Sequence, residues 1–145
     1  MGLGSSCAAA RVLVCVFCLA VLLSACAAKD EQPVPGGMSV TVALRDVHRC
    51  SRISPEIQVA DIPAGTDYFD VRLMEYVEDG SEIFLGGGMW DNDVSGVIPE
   101  GVLSRHYRGP CPPAGKTRDF SFVVAAMSRK SMQPLAVRLY RFTQE

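Results

Sequence analysis

The sequence predicts a mainly β domain, a two-sheet antiparallel sandwich with few or no helices. Two observations carry this. Within residues 38–145, several segments alternate apolar and polar side chains with period two, the spacing of a half-buried strand. The stretches between them are dense in proline and glycine, which forbids regular pairing there. In addition, no window shows the 3.6-residue apolar period of an amphipathic helix. Short alternating strands without helices fit two packed sheets.

The elements follow in order. Val40, Val42 and Leu44 alternate with Ser39, Thr41 and Ala43 as a first strand. Polar, irregular sequence leads to Pro55, and Ile57, Val59 and Ile62 start a second extended piece. Pro63-Ala64-Gly65-Thr66 reads as a turn. From Tyr68 to Tyr76, Phe69, Val71 and Leu73 share one face, with Asp70, Arg72 and Met74 on the other. Glu78-Asp79-Gly80-Ser81 is a hairpin signal. Ile83, Phe84 and Leu85 pair back and run into Gly86, Gly87 and Gly88, and a turn region covers residues 91–96. Ile98-Pro99-Glu100-Gly101 and Gly109-Pro110-Cys111-Pro112-Pro113-Ala114-Gly115 are loops. Phe120, Phe122, Val124 and Ala126 then alternate with Asp119, Ser121, Val123 and Ala125, and Leu135, Val137 and Leu139 mark a last strand.

The N-terminal part reads as an address. Residues 1–25 form a lipoprotein signal peptide: Arg11 precedes the uninterrupted apolar run 12–23. That run is too short to span a bilayer, which needs about 20 residues, and has the length of a signal-peptide core. It ends Leu23-Ser24-Ala25-Cys26, which resembles the bacterial lipobox. Small residues flank the scissile bond, and the Cys26 thiol takes the lipid. The alternative is an ordinary secretory signal with a chance cysteine. Residues 26–37 are polar with two prolines and a glycine pair, a lipidated tether, and residues 38–145 are the folded domain. The expectation is a protein of the bacterial cell envelope, held at a membrane by its lipid. Ala27 follows the cysteine, which by similarity to enterobacterial sorting points to the outer membrane, facing the periplasm.

This compartment changes the meaning of the six cysteines. Cys7, Cys15 and Cys18 leave with the signal and Cys26 becomes a thioether. Cys50 and Cys111 remain, an even number in an oxidising compartment, and a disulfide between them is the natural reading. The alternative is two buried free thiols. His48-Arg49-Cys50 lacks a second ligand pair, so no metal site is expected. Of 14 basic residues, loss of Arg11 leaves 13 against 16 acidic, a formal charge of −3 that gives no case for nucleic acid.

Three segments together resemble one family. Ser54-Pro55-Glu56-Ile57 leads to Ile62-Pro63-Ala64-Gly65-Thr66; Ile98-Pro99-Glu100-Gly101 follows; Tyr107-Arg108-Gly109-Pro110-Cys111-Pro112-Pro113-Ala114-Gly115 then enters a strand. Their order, and the proline–cysteine–proline loop above all, is similar to the phosphatidylethanolamine-binding protein (PEBP) family in its bacterial Raf-kinase-inhibitor-like branch. The resemblance implies two antiparallel sheets with a small anion-binding pocket at one end. It also implies differences in that pocket. Glu75 stands for the first aspartate of the family's Asp-Pro-Asp motif, and the second has no counterpart. Where the family has His-Trp, this chain has Gly86, Gly87, Gly88, Met89 and Trp90. After the proline loop, strand phase sets Phe120 and Phe122 on the family's aromatics and Arg118 on its histidine. The chain is short for the family and lacks its late helical segment.

The candidate ligand-binding residues are therefore Glu75, Gly86, Gly87, Gly88, Trp90, Tyr107, Gly109, Pro110, Arg118 and Phe120. A glycine run can expose backbone N–H groups as an anion nest, and an arginine fork suits phosphate or carboxylate. Lys116 and Arg108 lie beside the same loop. The expected ligand is a small anion or a phospholipid headgroup, with no cofactor. The alternative is that the glycines make a bulge or bend and the arginines are solvated. No nucleophile elbow, P-loop or dinucleotide fingerprint is present, and His48 and His106 have no triad context, so a non-enzyme is expected. A different class of function stays open: an envelope protein–protein interaction module using an exposed patch or sheet edge.

Overall fold

The computed structural model describes residues 37–145. The signal peptide, Cys26 and the tether to residue 36 lie outside the described residues. In chain order the strands are β1 (Ser39–Val42), β2 (Ile57–Ala60), β3 (Tyr68–Tyr76), β4 (Glu82–Asp91), β5 (Val97–Ile98), β6 (Arg118–Met127) and β7 (Ala136–Gln144). They form two antiparallel sheets, ordered β1-β2-β5 and β4-β3-β6-β7. The one helical element among the described residues is a 3₁₀ turn, Asp46–His48. The β-sandwich expected from the alternation is the fold observed.

Register explains the core. Phe69, Val71 and Leu73 of β3 lie opposite Ala126, Val124 and Phe122 of β6, all buried. Across the layer, Val42, Ile57, Val59 and Ile98 of the smaller sheet complete the cluster, with Leu103 and Tyr107 from the connection after β5. Burying each large side chain stabilises by about 1.5–3 kcal/mol, so the inward set fixes the strand phase. Phe142 of β7 stacks beside Phe120 and Phe122, with ring centroids at 5.5 and 5.8 Å.

Two strands differ from the sequence reading. β4 does not stop at the glycines but continues to Asp91. The register slips between Leu73 and Met74, leaving Leu85 as the extra residue of a bulge, and Gly86 takes φ +106°. This is the bulge that the sequence left as the alternative to a nest. In β7 the apolar residues Val137 and Leu139 do not face the core but are exposed, as is Leu135 just before the strand, while Tyr140 and Phe142 pack inward. Two aromatic rings against Phe120 and Phe122 bury more area than two aliphatic side chains would.

The Cys50–Cys111 disulfide is present, with α-carbons 4.5 Å apart. Around it the two loops are stitched by backbone bonds, Cys50 N–H to Pro110 O and Gly109 N–H to Ser51 O. Gly109 is required at this crossing, since a Cβ there would lie 2.0 Å from the carbonyl oxygen of His48. His48 itself is fully buried. Its Nδ1 accepts the Arg45 backbone N–H at 2.9 Å, which leaves Nε2 to donate to Glu100 Oε2 at 2.9 Å. Arg45 closes the triangle with an ion pair to Glu100.

Burial first, and the Arg45 guanidinium second, hold the His48 imidazole below its ordinary value of 6.5. Above that value His48 is neutral in both folded and unfolded chains and its full contribution is present. As pH falls below it, the unfolded chain takes a proton first, so stability declines toward the lower folded value. Urea midpoints at pH 7.5 and 5.5 should therefore fall less for His48→Gln than for the wild type. Equal falls would contradict this assignment.

Candidate functional site

The connection from β5 to β6 lies across the glycines of β4. Gly87 and Arg105 exchange backbone hydrogen bonds of 3.0 and 2.9 Å, and Arg108 N–H donates to Leu85 O at 2.8 Å. A Cβ on Gly86 would lie 2.5 Å from the backbone of His106 and Tyr107; one on Gly88 would lie 3.1 Å from Leu103. The glycines thus permit backbone to approach backbone. The Gly87 N–H is already bonded to Arg105, so the run is not an open nest; its function in the fold is the close crossing itself.

Below this crossing a concavity of about 680 Å³ opens, bounded by Ile83, Phe84, Leu85 and Gly86 on one wall. Leu103, Ser104, His106, Tyr107 and Arg108 line the other, and Arg52 reaches it from the loop after Cys50. Arg52, His106 and Arg108 are exposed, and no carboxylate lines the space. Neither Arg52 nor Arg108 forms an ion pair among the described residues. Tyr107 is buried, and that burial pushes its phenol well above the usual range, so it stays neutral. Its hydroxyl has no hydrogen-bond partner among the described residues; the same holds for Trp90 Nε1 and Gln144 Oε1.

Of the sequence-predicted residues, this concavity brings together Gly86 and Tyr107. Arg118 is elsewhere. It does share the inward face with Phe120 and Phe122, as strand phase required. There it meets Glu75 at 3.6 Å and Glu78 at 2.8 Å instead of entering the concavity. The physical reason is that the chain put two carboxylates within reach, and a half-buried guanidinium is better paired than open. Glu75 is correspondingly occupied. Phe120 is core, and lines a separate shallow depression with Tyr76, Asp119, Arg141, Phe142 and Thr143. Trp90 is half-buried opposite Phe69, Gly88 meets Leu103, and Gly109 and Pro110 are buried against the loop that holds His48 and Ser51. Among the described residues no group of three His, Cys, Asp or Glu side chains is arranged to hold a metal ion.

Arg52 is absent from the residues that the sequence singles out, although a signal for it exists. It stands two residues after Cys50, and Arg108 stands three before Cys111. Joining those cysteines links the two loops that carry these arginines, and both then line the one concavity.

No protein-family model matches the chain, and no curated protein sequence matches it. Among solved structures, the crystal structure of YbcL from E. coli, a new member of the mammalian PEBP family, superimposes with a TM-score of 0.60 at 17% identity. The match covers 74% of this chain and 98% of that one. At that identity it is the fold that is shared, and the loop sequence pointed to the same place: this chain carries a β-sandwich domain of PEBP-like fold.

Proposed function

We propose that this chain is a lipid-anchored envelope protein whose PEBP-like domain binds a small anionic or phosphate-bearing ligand without catalysing a reaction on it. The observation that supports this reading is the pair Arg52 and Arg108, exposed in one concavity that no carboxylate lines. Two guanidinium forks on one space suit phosphate or carboxylate, and the acids nearby, Glu75 and Glu78, are engaged by Arg118. A binding role is favoured over catalysis because both ring nitrogens of His48 are used in the fold, and the exposed His106 has no side-chain hydrogen-bond partner among the described residues to orient it as a base.

Calorimetric titration with inorganic phosphate and with glycerophosphoethanolamine tests the reading. Arg52→Ala and Arg108→Ala should each weaken binding by about tenfold to a hundredfold, the loss of one charge-assisted contact of roughly 1.5–3 kcal/mol. Undiminished binding by the double variant would contradict it, and no binding by the wild type would favour the interaction-module reading. Anchoring is tested separately by the intact mass of the membrane-extracted protein. A chain beginning at Cys26 with acyl mass is expected, and Cys26→Ala should abolish both features; an unacylated chain starting elsewhere would end the idea.

A further inference from the structure

The wall of the concavity formed by β4 has a property that a small anion does not use. β4 is an edge strand of its sheet. Its upper part is covered: Arg105 pairs with Gly87, and Arg108 N–H reaches Leu85 O. Beyond Leu85 that cover ends. Ile83 and Phe84 lie in register with Glu75 and Met74, on opposite faces of the strand. They are 45% and 48% exposed. Ile83 is on the face that elsewhere forms the core, yet it is not part of that core. So this length of β4 is open on both faces and along its edge, next to Arg52 and Arg108.

An open edge of this kind is a template for an added strand. Backbone pairing supplies affinity, and alternate side chains of the added strand lie beside the exposed residues on each face. The segment 105–108 already runs antiparallel along β4, and an incoming chain would extend that ladder from where Arg108 leaves it. Charge selects the occupant. Arg52, Arg108 and His106 line the space. Of the flanking acids, Glu82 pairs across to Tyr76 on the opposite, outward face, Glu75, in register with Ile83, and Glu78 are engaged by Arg118, and none of the three lines the space.

We infer that the partner at this site is an extended segment of another polypeptide, alternating apolar residues with acidic ones, which adds to β4 at Glu82, Ile83 and Phe84. Its carboxylates occupy the positions beside Arg52 and Arg108. The inference rests on the anion-binding reading above and names what carries the anion.

The test uses the full chain in detergent micelles and a fluorescein-labelled peptide of alternating valine and glutamate, followed by anisotropy. Three controls accompany it: the valine–lysine peptide, and two valine–glutamate peptides N-methylated on one or the other alternate set of amides. The glutamate peptide should bind at least about tenfold tighter than the lysine peptide. One N-methylated peptide should lose binding by a similar factor while the other retains it, because only one set of amides faces β4 in an added strand. Inorganic phosphate should compete. Equal binding of both N-methylated peptides overturns strand addition. Phosphate binding with no peptide binding overturns the inference and leaves the anion site standing. Peptide binding with the N-methyl pattern but without phosphate competition supports strand addition and overturns the small-anion reading. Binding of neither overturns both.

Discussion

Replacing both Cys50 and Cys111 with serine should lower the folding stability by about 4 kcal/mol, from the loss of a cross-link spanning a sequence separation of 61 residues. In the chain-entropy model the bond acts on the unfolded state, by removing conformations that would otherwise be reached. Both cysteines are exposed, so serine hydroxyls at these positions bury no unsatisfied group and the measured loss reports the cross-link. Urea unfolding of the double variant against wild type measures it. The variant should also loosen the crossing at Gly109, since His48 and Ser51 meet the proline loop beside the bond. A loss under about 1 kcal/mol would mean that the backbone bonds and the His48–Glu100 contact already confine these loops without the disulfide.

Gly87→Ala should cost about 3 kcal/mol, and more if the strands cannot part. The added Cβ would lie 1.9 Å from the carbonyl oxygen of Val71 and 2.9 Å from its carbonyl carbon. Both are backbone atoms of the neighbouring strand, so relief requires moving β3 and β4 apart within the larger sheet. Gly80→Ala is the proper comparison. Gly80 has φ +83° in the β3–β4 hairpin, and a methyl group added there would meet nothing within 4 Å. That substitution therefore carries only the left-handed backbone cost of about 1 kcal/mol. Thermal or urea unfolding of the two variants separates crowding from backbone preference. Equal losses would show that the contact with Val71 is easily relieved.

What is legible in the sequence is what local alternation and turn chemistry specify. Phe69, Val71 and Leu73, like Phe120, Phe122 and Val124, declare their common face because one side of each strand is buried. The hairpin at Asp79-Gly80 and the proline loop are legible from backbone preferences. β7 is harder, because its exposed residues Val137 and Leu139 are as apolar as core residues, and only the partner rings at Phe120 and Phe122 decide which face turns in. The glycines of β4 mislead because their value there is tertiary: they admit the backbone of Leu103, His106 and Tyr107, and no local rule states that. The site is legible in part. Strand phase places Arg118 on the correct face, but its carboxylate partners lie far back in the chain, Glu75 on the neighbouring strand β3 and Glu78 in the β3–β4 hairpin, and an ion pair between non-consecutive strands cannot be read from spacing alone. Arg52 and Arg108 meet through a disulfide that the cysteine count implies, yet their convergence follows only when the loops on both sides of it are placed.

On the proposed function, anions bind between β4 and the segment that crosses it, and not at the Glu75–Arg118 end of the sheet. Backbone amide shifts followed by NMR during titration with inorganic phosphate locate the site directly. Saturable shifts are expected at Arg52, Gly86, Ser104 and Arg108, with Glu75, Arg118 and Gln144 unmoved. Shifts confined to Glu75, Glu78 and Arg118 would contradict the proposal.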